Sequence, residues 1–197
     1  MNTRSAVIIR NTKETEISME FTVDGSGKAQ IETGIGFFNH MLDSFNRHGF
    51  FDMKLAVKGD LYVDSHHTVE DTGIVLGQAI KSALGDKQGI KRYGSFLLPM
   101  DETLVLCAID LSGRPYLSYD LEFTTDRVGY METELVKEFF YAVSYSAGMN
   151  LHIKLLSGGN NHHIIEAAFK AFAKALDEAC SIDPRIHGVL STKGTID

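Results

Sequence analysis

The chain has 197 residues, 44% hydrophobic and 23% charged, with a formal net charge of −7. That suits one domain or two small, intimately packed halves with a real core, and the negative balance argues against a nucleic-acid or anionic-membrane surface as the main partner. Its two cysteines, Cys107 and Cys180, are too few for a cysteine-built zinc site and read as buried or half-buried free thiols of a reducing compartment.

Met1 to Arg10 carries no long apolar stretch with a cleavage site, and no run approaches the length of a bilayer span; a soluble, cytoplasmic protein is expected. Ala6 to Ile9 is a short apolar run. Ile17, Met19, Phe21 and Val23 alternate with polar residues, the period of a half-buried strand. Asp24-Gly25-Ser26-Gly27 is a turn, and Lys28 to Thr33 returns as a third strand. Phe37 to Phe45 fits a helix that stops near His48-Gly49. Met53, Leu55 and Val57 alternate again, and apolar residues at helical spacing run from His66 to about Leu84. The second half repeats the order. Strands are expected at 93–98, 104–111 and 116–121, a helix at about 133–147 stopped by Gly148, a strand at 151–155 and a helix at 161–180. The tail from Ile182 reads as unstructured. The fold class is therefore α+β, an internal duplication of a strand–strand–strand–helix–strand–helix unit over residues 1–90 and 91–197.

Residue matches support the duplication. His66-His67-Thr68-Val69-Glu70 aligns with His162-His163-Ile164-Ile165-Glu166, 96 residues later. On a helix the first His and the Glu, at i and i+4, lie about 40° apart and can share a metal. The adjacent histidines point about 100° apart and more readily serve two different metals. The repeat adds His40, 26 residues before His66, and Glu138, 24 before His162, with Glu134 one turn earlier as an alternative. The ligand set is then five histidines and three glutamates, His40, His66, His67, Glu70, Glu138, His162, His163 and Glu166. Mixed imidazole and carboxylate ligands suit manganese first, with iron or zinc behind. His152 and His187 read as an outward strand residue and a loop residue.

Four segments carry a resemblance: Gly34 to Asp43, Asp64 to Asp71, Asp110 to Pro115 and Asn161 to Ala167. Together they resemble the imidazoleglycerol-phosphate dehydratase family in its single-function form. The resemblance implies two four-stranded sheets, each backed by helices, and a homo-oligomeric shell of roughly 24 subunits with two manganese ions at each interface site. It groups His40, His67, His162 and Glu166 on one ion, and His66, Glu70, His163 and residue 138 on the other; Glu138 stands where many relatives have histidine. It implies Glu14 as the acid/base residue, and Arg92, Arg114, Lys170, Ser191 and Lys193 as the grip on the phosphate of a small-molecule substrate. It also implies a reaction, the dehydration of imidazoleglycerol phosphate to imidazole-acetol phosphate in histidine biosynthesis through a metal-stabilised imidazolate. Glu102 is the repeat counterpart of Glu14. A two-metal hydrolase would need a scissile ester or amide. A ferritin-like store would be nearly all helix with Glu-x-x-His motifs, whereas here the order is reversed and half the elements are strands.

Overall fold

The computed structural model describes residues 3–196. The first half comprises strands β1 (Ser5–Asn11), β2 (Thr15–Thr22) and β3 (Ala29–Glu32), helix α1 (Gly36–Gly49), strand β4 (Asp52–Gly59) and helix α2 (His66–Leu84). The second comprises β5 (Tyr93–Met100), β6 (Thr103–Asp110), β7 (Tyr116–Asp120), a hairpin of β8 (Arg127–Val128) and β9 (Met131–Glu132), α3 (Leu135–Ala147), β10 (Asn150–Ser157) and α4 (Asn161–Cys180). Two four-stranded sheets result, ordered β1-β2-β4-β3 and β5-β6-β10-β7. In each, an antiparallel hairpin joins a parallel pair, β3–β4 or β7–β10, whose crossover is α1 or α3. Parallel neighbours need such a crossover, so the strand–helix–strand order dictates the pairing.

The four helices lie between the sheets and interlock across the halves. Helix α2 covers β1 and β2 but packs most closely on α3; α4 covers β5 and β6 and packs on α1. Phe38 and Phe45 of α1, Phe139 and Phe140 of α3, and Phe169 and Phe172 of α4 are all fully buried. Their rings meet at 5.0 to 5.6 Å, with Phe45 stacked on Phe172 and Phe38 edge-on to Phe139. Such contacts add to the burial of large apolar surface. The α2–α3 contact is close because Gly73 and Gly77 remove side chains from that face of α2.

Two boundaries differ from the sequence reading. Helix α3 begins at Leu135, because Thr133 instead donates its N–H to Asp126 O and its hydroxyl to Thr125 O, closing the β8–β9 hairpin. The tail is tied down rather than loose: Ile182 bridges Ile90, and Arg92 donates to Leu190 O at 2.8 Å. Both cysteines are buried and free, and His152 and His187 are exposed. No helix among the described residues is long and apolar enough to cross a membrane.

Candidate active site

Both His-His-x-x-Glu motifs open a helix. Asp64 Oδ1 accepts the His66 N–H at 2.8 Å, and Asn160 Oδ1 accepts the His162 N–H at 2.9 Å and the His163 N–H at 3.4 Å. These bonds satisfy amides that a first helical turn leaves without partners. Within each pair the rings diverge, with centroids 6.1 and 6.2 Å apart and planes 79° and 85° apart. The first histidine turns back to its glutamate, His66 Nε2 to Glu70 Oε2 at 3.6 Å and His162 Nε2 to Glu166 Oε2 at 3.1 Å.

His40 of α1 reaches the second motif because α1 packs on α4. Its Nε2 lies 3.5 Å from Glu166 Oε2, and its ring centroid 5.8 Å from that of His162. Ligand atoms of His40, His162 and Glu166 all fall within 4.8 Å of one another, a spacing one cation can span. Burial alone would raise the Glu166 pKa, but the Lys170 Nζ hydrogen bond at 2.6 Å, with help from His162 and His40, holds it below the usual carboxylate value. The donor set of two imidazoles and an ionised carboxylate fits a divalent transition metal.

The second histidine of each pair sits elsewhere. His67 Nδ1 lies 3.0 Å from Asp60 Oδ2, and its Nε2 3.8 Å from Glu14 Oε1. His163 Nδ1 lies 2.9 Å from Glu102 Oε2, and its Nε2 4.0 Å from Asp101 Oδ2. The Asp60 hydrogen bond raises the His67 pKa and the Glu102 hydrogen bond that of His163; Glu102 in turn is drawn down to about 2, first by His163 and then by the Asn160 N–H. One chain thus assembles His40, His162 and Glu166, pairs His66 with Glu70, and holds His67 and His163 apart on other carboxylates. Glu138 is half-buried in the first turn of α3, the helix packed on α2. Glu134 precedes that turn as an exposed residue.

Four of the five anticipated phosphate contacts line one cavity of about 680 Å³: Arg92, Arg114, Ser191 and Lys193. Arg92 is aimed by a bidentate pair to Asp110, at 2.7 and 3.1 Å, and by the tail carbonyl of Leu190. Lys170 is not in that lining; it is the Glu166 partner.

A family model described as imidazoleglycerol-phosphate dehydratase matches residues 33–176. The chain belongs to the imidazoleglycerol-phosphate dehydratase family. It is an enzyme of the hydro-lyase class. It is 74% identical over 194 residues to the imidazoleglycerol-phosphate dehydratase of Lachnoclostridium phytofermentans, covering 98% of this chain and 99% of that one. The Acetivibrio thermocellus protein of the same name is 60% identical over 193 residues, covering 98% and 99%. The crystal structure of the Staphylococcus aureus imidazoleglycerol-phosphate dehydratase matches with a TM-score of 0.83 at 41% identity, covering 91% of this chain and 99% of that one. The Pyrococcus furiosus structure, in complex with (S)-C348, matches at 0.83 and 38%, covering 95% and 99%.

For this member of the imidazoleglycerol-phosphate dehydratase family, sequence reasoning missed Asp60 and Asp101, and gave Glu102 no role. Asp60 is an ordinary strand-end carboxylate in the sequence; only the fold returns it to His67. Glu102 had a signal, its place in the repeat opposite Glu14.

Proposed function

We propose that this chain dehydrates imidazoleglycerol phosphate to imidazole-acetol phosphate, a step of histidine biosynthesis, at sites holding two divalent metal ions, manganese first and iron or zinc as substitutes. The observation that carries the metal reading is the convergence of His40, His162 and Glu166 from helices of both halves. His67 completes this set from a second copy of the chain, since within one chain its ring is engaged beside Asp60 and Glu14. His66, Glu70, His163 and Glu138 form the other set in the same shared manner. Exposed apolar side chains beside the first motif, Tyr62, Val63 and Tyr130, support self-association; the family resemblance makes the assembly a shell of roughly 24 subunits, in the cytoplasm.

The proton to be lost is on a carbon that no carbonyl activates. Bound at these residues, the two ions would supply Lewis acidity to the substrate imidazole, favouring departure of the neighbouring hydroxyl as water. Arg114, Lys193 and the Ser191 hydroxyl hold the phosphate, with Arg92 fixed beside them by Asp110. Lys170 keeps Glu166 ionised for its ligand role. Glu14, in the β1–β2 turn with its side chain 54% exposed, takes the carbon proton as general base. Turnover of imidazoleglycerol phosphate by chelated protein, with and without added manganese and alongside Glu14→Gln, tests the reading. Manganese should restore activity and Glu14→Gln should lower kcat by about 10²–10⁴-fold. Full activity in chelator, or in Glu14→Gln, would overturn it.

A further inference from the structure

In both motifs the second histidine is gripped at Nδ1 by a carboxylate from outside the motif. The two grips are not repeat equivalents. Asp60, directly after β4, holds His67 with both oxygens at 3.0 and 3.2 Å, and its side chain is 12% exposed. Glu102, in the β5–β6 turn, holds His163 at 2.9 Å. A carboxylate only accepts, so in each ring Nδ1 carries the hydrogen, and once the ring is neutral Nε2 keeps its lone pair.

The repeat equivalent of Glu102 is Glu14, in the β1–β2 turn, and it meets the other ring nitrogen, Nε2 of His67, at 3.8 Å. Glu102 is immobilised: Oε2 accepts from His163, and Oε1 accepts from the Asn160 N–H at 2.9 Å and the Thr103 hydroxyl at 3.1 Å. Among the described residues the Glu14 carboxylate has only the His67 approach. We propose that Asp60 and Glu102 are positioning residues that lock His67 and His163 with Nε2 turned to a metal ion, and that Asp60, by taking over this task in the first half, leaves Glu14 free for proton transfer. The inference rests on the metal reading above. It gives the divergence of the halves a chemical meaning: one hairpin turn keeps an exposed carboxylate without a hydrogen bond among the described residues, the other spends its carboxylate on orientation. Histidine ligands are commonly oriented in this way, and loss of the orienting group weakens metal binding by about 10–100-fold.

The test uses the full-length protein and manganese chloride alone as probe. Isothermal titration of Asp60→Ala and Glu102→Ala should show about 10–100-fold weaker manganese binding. Asp60→Asn, whose amide oxygen still accepts from Nδ1–H, should recover most of the affinity. Solid-state nitrogen NMR of chelated, histidine-labelled protein at alkaline pH should show His67 as the Nδ1–H tautomer, shifting toward a mixture in Asp60→Ala. An Nε2–H tautomer in the unsubstituted protein would overturn the inference, and that measurement stands even if the alanine variants fail to fold. Undiminished manganese affinity in Asp60→Ala would overturn it alone. No manganese binding by the unsubstituted protein would remove the proposed function as well.

Discussion

Replacing Gly77 by alanine should weaken the fold where it presents the first motif. An added Cβ would lie 2.6 Å from Val143 O, 2.6 Å from the Ser146 Cβ and 2.9 Å from Ala147 N. Two of these atoms are α3 backbone and the third is fixed to it, so no side chain can rotate away. Overpacking costs about 1–3 kcal/mol, and a rigid obstacle places this substitution at the upper end. Alanine returns about 1 kcal/mol of helix propensity. The net loss is then about 2 kcal/mol, roughly a thirtyfold shift toward the unfolded state. Helix α3 must also withdraw from α2, moving Glu138 relative to His66 and Glu70. Gly36→Ala is the control, because an added Cβ there has nothing within 4 Å; it should gain about 0.4–1 kcal/mol. Urea denaturation at fixed protein concentration should show a lower midpoint with unchanged slope for Gly77→Ala, and a slightly higher midpoint for Gly36→Ala. If Gly77→Ala matches the unsubstituted protein, or both variants fall together, the close-packing account is wrong.

Other consequences follow from the same contacts. Arg4 grips Asp24 at 2.9 Å through Nε and donates to Cys180 O at 2.7 Å; the Arg4 hydrogen bond holds the Asp24 pKa below its ordinary value. That contribution, about 0.2–1 kcal/mol, is present above the unfolded aspartate pKa near ~3.9 and fades as pH falls through the folded value. Acid titration of stability should therefore be flatter in Asp24→Asn, and an identical pH slope would count against it. Lys170→Met removes the nearest partner of the mostly buried Glu166 carboxylate and should cost about 1.5–3 kcal/mol in chelated protein. Saturating manganese should narrow that gap, and an unchanged melt in chelator would contradict the pairing. Burial pushes the Cys180 thiol up to about 12 and the Cys107 thiol upward as well. Thiol reagents at mildly alkaline pH should label the native protein only as fast as it opens, and immediate labelling of both would refute their burial.

The fold was legible because its signals are local. Alternation at Ile17, Met19 and Phe21 gives β2 its buried face, with Val23 buried just past its end, and the 3.6-residue spacing from His66 gives α2 the predicted bounds. The β8–β9 hairpin was missed because its strands are two residues long, too short for any period. Gly49 was read as the helix stop, yet it is Phe50 that takes the left-handed conformation, at φ 56°. Gly49 is needed instead because its Cβ would meet the Phe51 ring. The tail was misread because its anchors, Ile90 and the Arg92 guanidinium, lie about half the chain away in sequence.

The sequence by itself determined the duplication, the order of elements, the two His-His-x-x-Glu motifs and the family, because repeat spacing and helix periodicity survive without knowledge of what packs on what. Only the tertiary structure decided which side chains meet. It joined His40 to His162 and Glu166 through the α1–α4 contact and brought Asp60 and Glu102 onto the second histidines. The first of these meetings depends on how helices of one half pack against those of the other. That packing is set by the volumes of buried phenylalanines and glycines across the whole core, not by any local run of residues.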